Sequence, residues 1–452
     1  TATATYPEEI RDMFSTSYTI HTKGDMLKDI QLKYFHQYIV RDVELIPNPA
    51  VVVTPSGYHN TNGLQLQASL TPGKSHAITA GMDAWQRELR TEREKNINQA
   101  VKDTAGNIIG VNHIVWGEIP IPETKFSSLG WFVQDEFTTL NDKLKITLGG
   151  RFDLINIRNE EAIDPEYLIN NDVRNDNPPN QRITFEARDV INQSWSANLG
   201  LLYELNENMN LTASFSRAFR SPSIEERYKY IDLGSMVNIG DPDLKPENGY
   251  FADLGFHIWA NRLQVSLNAF ANRMNNLIVA EPGQAIYNYS DQPDRYDTIQ
   301  ALINANVDEA LLYGYDLSLS YSFIPGWVAF ASSSFVRGID TKNDTDLPLI
   351  PPLNGRLGLK YKHPKWFGME VAARLVSDQL KVAEGESTTG GYATYDLRLY
   401  SRPINIGIGS MEIYTGIENI TDRAFVNHLT SNRGLIKYEP GRNVYLRLKL
   451  NF

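Results

Sequence analysis

The chain has 452 residues, a net charge of −11 and no cysteine, which excludes disulfides and thiolate metal sites and argues against nucleic-acid binding. Hydrophobic residues make up 42%, and no run approaches the roughly 20 apolar residues that a membrane-spanning helix needs. Tyr (23), Phe (18) and Trp (7) are plentiful. This composition favours one large closed β structure, which in a membrane would be a barrel.

Polar and apolar residues alternate along the whole chain, the pattern of strands with two different faces. In residues 144–156, Leu148 and Phe152 fall on one face, whereas Arg151 and Asp153 fall on the other. Segments of this kind predict about 17 strands. They lie near residues 10–22, 28–44, 62–71, 76–90, 125–139, 144–158, 192–205, 208–219, 248–259, 262–280, 308–323, 326–339, 353–363, 367–382, 391–402, 410–420 and 442–452.

The predicted connections are short at one end of the sheet and long at the other. The short turns are TKGDML, TPGKS, LNDK, LNENM, ANR, IPG, HPKW and the slightly longer RPINIGIGS. The long connections include 91–124, 159–191, 220–247, 281–307 and 421–441. Short turns on one side and elaborate loops on the other are typical of outer-membrane barrels, whose long loops are extracellular.

The final strand, 442–452, alternates apolar and polar residues and ends on Phe452. An aromatic residue at the end of an alternating strand resembles the C-terminal membrane-insertion signal of bacterial outer-membrane proteins. An amphipathic edge strand of another protein could also end in Phe.

Two motifs flank one long loop, and together they resemble a known family. SRAFRSPSIEERY, residues 216–228, is followed by GDPDLKPE, residues 240–247. This pair resembles the signature of TonB-dependent outer-membrane receptors. TDLPLIPPLNGRLGLKYKH, TTGGYATYDLRLYS, GIENITDRAFVNHL and YEPGRNVYLRLKLNF follow in the order of the last third of that family's barrel.

The resemblance implies an all-β, transmembrane antiparallel barrel of about 22 strands with an N-terminal plug. Residues 1–452 would be its C-terminal portion, beginning in an extracellular loop, with the plug and about five strands absent from this chain. We hypothesise that these parts form a separate chain, cut at the exposed loop and held by strand pairing. An uncut polypeptide on a denaturing gel would contradict the cut.

By the same resemblance, the protein would take up a scarce nutrient across the outer membrane of a Gram-negative bacterium, driven by the TonB–ExbB–ExbD complex. We favour a ferric siderophore or similar metal chelate. Copper, cobalamin and haem are the alternatives within the family, and a plugless porin is the alternative outside it. The porin is disfavoured because an open sheet would leave unpaired strand edges in lipid, and because bacterial single-chain barrels have an even number of strands. Outer-membrane lipid, lipopolysaccharide and a surface lipoprotein are further expected partners.

The loops carry the expected substrate-binding residues, which are Arg220, Glu225, Tyr228, Tyr230, Met236, Tyr287, Tyr289, His428 and Arg433. Tyrosine rings suit an iron chelate or corrin, although loop packing is the alternative for each. Arginine can bind an anionic siderophore in bidentate fashion. For Arg220, however, pairing with a carboxylate such as Glu247 at the base of the loop is the favoured role.

Metal binding is a weaker expectation. Candidate ligands are His59, His113, His428 and Met236, so copper remains a candidate substrate. No histidine lies in residues 223–240, where the haem-receptor branch of the family carries its iron ligand. The acidic residues in 159–177 could hold a Ca²⁺ ion, with a solvated loop as the default.

No built-in cofactor is expected, and hydrolase and nucleotide-binding motifs are absent, so we do not expect an enzyme.

Overall fold

The structure, a computed structural model, describes residues 3–232, 236–289, 296–432 and 436–451. Nearly all its regular structure is β-strand in one sheet. The strands are β1 (Thr3–His21), β2 (Leu27–Asn48), β3 (Val51–Leu70), β4 (His76–Lys102), β5 (Ile108–Glu118), β6 (Thr124–Thr139), β7 (Leu144–Asn159), β8 (Ala162–Asp164), β9 (Tyr167–Asn170), β10 (Val173–Asn175), β11 (Arg182–Phe185), β12 (Arg188–Asn206), β13 (Met209–Arg220), β14 (Tyr230–Asp232), β15 (Val237–Ile239), β16 (Glu247–Trp259), β17 (Leu263–Tyr289), β18 (Tyr296–Ile324), β19 (Trp327–Asp340), β20 (Thr345–Asp346), β21 (Asn354–Lys362), β22 (Phe367–Val376), β23 (Tyr392–Ser401), β24 (Ile404–Asn405), β25 (Ser410–Glu418) and β26 (Asn443–Asn451). Two short helices, α1 (Ile224–Tyr228) and α2 (His428–Asn432), lie in connections. Neither helix is long and apolar enough to span a membrane.

Seventeen long strands form one antiparallel meander. Their order is β1, β2, β3, β4, β6, β7, β12, β13, β16, β17, β18, β19, β21, β22, β23, β25 and β26. Each overlaps a strand predicted from the sequence, so the all-β fold class and the number of long strands are confirmed. Within the described residues, β1 pairs only with β2 and β26 only with β25.

The short turns gather at one end of the meander, as predicted. Several of them depend on residues that tolerate a positive φ, including Gly73 (88°), Asn141 (55°) and Gly326 (82°). Such residues let the chain reverse within a few positions, so the neighbouring strands stay in register.

The opposite end carries more strand than the sequence predicted. The predicted loop 91–124 contains the end of β4 and all of β5, and 159–191 contains β8 to β11. β2 and β3 also continue outward to a two-residue turn at 49–50. β8 to β11 are only three or four residues long, too short for a polar–apolar alternation to mark them in the sequence.

The two faces of the meander differ as the alternation predicts. Leu148 and Leu254 lie on the outer face and are 61% and 65% exposed. Arg151 and Asp153 lie on the inner face of β7 and are partly or fully buried. A continuous exposed apolar outer face is the surface that lipid-facing sheets present.

A charge network crosses the inner face between β4 and β7. Arg151 Nη1 lies 2.6 Å from Asp83 Oδ2, and its Nε donates to both carboxylate oxygens of Asp153 at 2.8 Å. The side chain of Asp153 is only 5% exposed. Gly130 on β6 leaves room for the guanidinium, which a side chain there would strike. The network therefore ties β7 to β4 across the intervening strand β6.

We expect Arg151→Ala to lower the free energy of unfolding by about 2 kcal/mol, because two poorly hydrated carboxylates lose their cation. Arg41→Ala is the matched control, since Arg41 pairs with Glu9 in solvent and should cost less than about 1 kcal/mol. Guanidinium unfolding in detergent micelles, followed by tryptophan fluorescence, measures both. Equal losses would contradict a structural role for the network.

Candidate functional site

The inner face becomes apolar at the loop-bearing end of the sheet. Leu89 on β4, Phe126 on β6, and Ile155 and Ile157 on β7 are all buried there. These positions continue the same face as Arg151 and Asp153, so the residues facing inward change from charged to apolar along one strand. Such a surface needs a cover.

The cover is the segment 221–246 between β13 and β16, called here the inner loop. It begins with a capping box, in which the Ser223 hydroxyl accepts from the Glu226 N–H and the Glu226 carboxylate accepts from the Ser223 N–H. This arrangement satisfies the free amides at the start of α1. The helix then buries Ile224 and Tyr228 completely.

A compact apolar cluster results where the inner loop meets the strands. Tyr228 packs edge-on against Phe185, with ring centroids 5.7 Å apart, and Trp85 stacks on Phe126 at 5.1 Å. Val237 of the inner loop is fully buried in the same cluster. Hydrophobic burial therefore holds the inner loop against β4, β6, β7, β11, β17 and β18, and Phe219 of β13, where the loop starts, also packs against the cluster.

Backbone groups hold the inner loop on its two sides. On one side, the Tyr230 N–H donates to the Pro120 carbonyl at 2.7 Å. On the other, β15 runs parallel to residues 301–303 of β18, and Asn304 Nδ2 donates to the Glu226 carbonyl at 2.9 Å. Asn306 also accepts from the Lys245 N–H at 2.8 Å. The loop thus spans from one group of strands to another.

Arg220 fixes the base of the inner loop. Its Nε donates to Glu247 at 2.7 Å, and its Nη1 and Nη2 donate to the two oxygens of Glu226 at 2.7 and 3.0 Å. The pairing with Glu247 predicted from the sequence is confirmed. Burial alone would raise the pKa of Glu226, but hydrogen bonds from Arg220 and from the Ser223 N–H hold it below its usual value of 4.5.

Two other charged residues of α1 have different surroundings. Arg227 is fully buried and donates through Nη1 to the Pro242 carbonyl, while its Nε and Nη2 have no partner in the part of the chain that the structure describes. Burial lowers the pKa of Arg227. Glu225 is partly exposed and lies 3.9 Å from Arg87 of β4. Glu225 is therefore the acidic side chain of α1 that a ligand at the inner wall could reach.

The predicted tyrosines lie mainly in packing positions. Tyr228, Tyr230 and Tyr289 are 0%, 2% and 5% exposed. Loop packing, the alternative drawn from the sequence, is therefore what the structure shows for these three, and substrate binding by them stays a prediction. The side chain of Tyr287 lies outside the described residues, as do Arg433 and Phe452.

The predicted metal ligands do not come together. His59 is half-buried on β3, His113 is exposed on β5, Met236 is half-buried beside β15, and His428 is buried at the start of α2. Across the described ranges, no group of three or more His, Asp or Glu side chains is placed to hold a metal ion. The acidic segment 159–177 is instead divided among the short strands β8 to β10.

Sequence reasoning missed several residues that shape the site. Ile155 and Ile157 are apolar on the face where Arg151 and Asp153 are charged, a change of pattern that was visible in the sequence. The spacing of Ser223 and Glu226 was likewise a readable capping signal. Arg227 gave no comparable signal, because nothing local indicates its burial.

Comparison with known proteins identifies the family. The family profile described as TonB dependent receptor-like, beta-barrel, matches residues 3–420. The chain belongs to this family.

Particular relatives support the same assignment. TonB-dependent heme receptor A of Haemophilus influenzae strain 86-028NP is 25% identical over 355 residues, covering 71% of this chain and 44% of that protein. The probable TonB-dependent siderophore receptor PirA of Acinetobacter baumannii is 23% identical, covering 60% of this chain and 40% of that protein. The chain thus spans less than half the length of these curated relatives. The solved copper transporter OprC superposes with a TM-score of 0.71 at 17% identity, over 99% of this chain and 67% of that one, a likeness of fold.

Acidification should loosen the inner loop through Glu226. Because its folded-state pKa is depressed, its stabilising contribution is present above pH 4.5 and is lost as the pH falls through the lower folded value. Hydrogen–deuterium exchange of residues 221–232, corrected for intrinsic rates, should therefore lose protection below pH 4.5. Glu226→Gln should show weak protection at every pH, whereas the exposed control Glu9→Gln should behave as wild type. Unchanged protection in Glu226→Gln would contradict this role.

Proposed function

We propose that this chain forms the barrel portion of a TonB-dependent receptor that takes up an iron chelate across the outer membrane of a Gram-negative bacterium. The observation that carries the proposal is the match of the family profile to nearly the whole length of the meander. The curated relatives named above are haem and siderophore receptors, which supports iron in chelated form.

The geometry supports uptake through the interior of the sheet. The outer face is apolar and the inner face carries charged and polar groups, such as the network around Arg151. The inner loop folds over the inner face at the loop-bearing end, where a ligand from outside would arrive. A polar interior below a folded loop suits a hydrophilic cargo.

Within iron chelates, we favour a ferric siderophore or similar metal chelate as the substrate. The site offers exposed or half-exposed charges, including Arg87, Glu225 and Arg220, rather than a group of metal-ligating side chains. A chelate already fills the coordination positions of its metal, so the receptor needs to recognise only the organic part of the chelate. Haem is the second candidate, because one of the curated relatives is a haem receptor.

The proposal includes partners outside this chain. Further strands would pair with the edges β1 and β26, because unpaired backbone groups are costly in lipid, and a plug would lie in the interior. Energy would come from the TonB–ExbB–ExbD complex, which pulls on the plug in this family. Lipid and lipopolysaccharide would contact the apolar outer face.

Uptake of radioactive iron by whole cells tests the proposal. Deleting the gene should abolish energy-dependent uptake of one iron source among a ferric trihydroxamate, a ferric catecholate, ferric citrate and haem, and the full-length gene should restore it. A strain lacking TonB is the control for energy dependence. If the deletion changed only copper or cobalamin uptake, the iron proposal would fail.

Single-channel conductance separates the receptor from a porin. The intact receptor in a planar bilayer should conduct very little, because a plug fills the interior in this family. A large steady conductance of the native protein would favour an open pore instead.

A further inference from the structure

A cavity lies at the loop-bearing end, away from the inner loop. It has a volume of about 180 Å³ and lies between the segments 377–391 and 419–432. The lining residues that matter here are Asn354, Arg374, Thr389, Tyr392, Asn427 and His428. Its size suits a small group rather than a whole chelate, since complete ligand pockets measure about 300–1,000 Å³.

The charge of this cavity is opposite to that of the chain. Its lining includes a guanidinium and an imidazole but no carboxylate, although the chain carries a net charge of −11. Arg374, on the inner face of β22, is exposed and has no ion-pair partner in the described ranges. Its neighbours on the same face differ, since Arg356 pairs with Glu370 and Arg398 with Glu418. Arg374 is thus available for an anion.

The hydrogen bonds of His428 determine which ring nitrogen carries the proton. Asn432 Oδ1 accepts from the Ser387 N–H at 2.8 Å, so its Nδ2 is the amide group that faces His428 Nδ1 at 3.2 Å. The Thr389 hydroxyl also lies 3.1 Å from Nδ1. Asn432 Nδ2 also lies 3.2 Å from the Ser387 carbonyl and 3.1 Å from the His428 carbonyl, so its two N–H groups are shared among three acceptors. A donor group facing Nδ1 favours the neutral tautomer that holds its proton on Nε2.

His428 Nε2 is therefore a buried donor, and it has no hydrogen-bond partner in the described residues. His428 as a whole is only 2% exposed. With its proton on Nε2, the neutral imidazole offers a hydrogen-bond donor at that nitrogen, and metal ligation by His428 stays a prediction. An unpaired buried donor calls for an acceptor oxygen.

We propose that this cavity binds a carboxylate carried on an arm of the transported chelate, a proposal that rests on the function proposed above. Arg374 would hold the carboxylate through paired N–H groups, a geometry that guanidinium and carboxylate share. His428 would then donate from Nε2 to the same group. Because Nε2 is shielded from solvent, this second contact forms when the two bordering loop segments adjust around the arm.

Binding to the purified full-length receptor tests the subsite. The probes are ferric citrate, which carries carboxylates, and a ferric trihydroxamate without carboxylates. Arg374→Gln should raise the Kd for ferric citrate by about tenfold or more, as expected for losing a charge-assisted bidentate contact. The matched control is Arg273→Gln, since Arg273 pairs with Glu309 at the rim and does not line the cavity. Any binding of the trihydroxamate to the wild-type receptor should be the same in both variants.

Two results would overturn the subsite. One is wild-type protein that binds neither ferric citrate nor free citrate. The other is Arg374→Gln binding ferric citrate as tightly as wild type. Neither result contradicts the whole-cell uptake experiment, which tests the proposed function by itself. Failure of the subsite is therefore distinguishable from failure of the proposed function.

Substitutions at His428 separate donation from a purely structural role. His428→Gln keeps an N–H donor and should retain most of the affinity for ferric citrate, whereas His428→Leu should weaken it several-fold. Hydrogen exchange of residues 428–432 in both variants reports whether α2 stays folded. Equal affinity in the two variants, with α2 intact, would show that His428 does not contact the ligand.

Discussion

The antiparallel hydrogen-bond ladder from β1 to β26 is the interaction on which the rest of the structure depends. It fixes which residues share a face, because neighbouring positions on a strand point to opposite sides. A slip of one residue between β6 and β7 would turn Arg151 and Asp153 outward and bring Phe152 into the interior. The charge network and the apolar outer face are therefore two results of one register.

The inner loop adds long-range contacts to this ladder. It leaves the sheet between β13 and β16 yet buries its tyrosine and isoleucine side chains against β4, β6 and β7. Arg220 joins its base to Glu226 and Glu247, so the capping of α1 and the end of β16 depend on the same guanidinium. Apolar packing supplies most of the stability, and the ion pairs fix the orientation.

The sequence was sufficient to predict the long strands, because each of them alternates polar and apolar residues over many positions. It also located the tight turns and the pairing of Arg220 with Glu247. It could not show the extra strands in 91–124 and 159–191, most of which are only three or four residues long and too short to carry a readable alternation.

The candidate site was less predictable than the fold. Burial of Tyr228 depends on Phe185, 43 residues earlier in the chain, and on the strands that supply the rest of the apolar cluster. The contacts of His428 depend in the same way on Thr389, which only the folded loops bring near it, whereas Asn432 lies four residues away in α2. Local sequence patterns do not predict contacts between segments that are distant in the chain.

The length of β17 and β18 has a mechanical consequence. Near its outer end, β17 pairs with β11, and β18 pairs with β15 of the inner loop through residues 301–303. The outer parts of β17 and β18 are thus hydrogen-bonded to two separate connections, the segment 159–191 and the inner loop. A displacement of the outer part of β18 would therefore also move β15 and the inner loop that covers the interior.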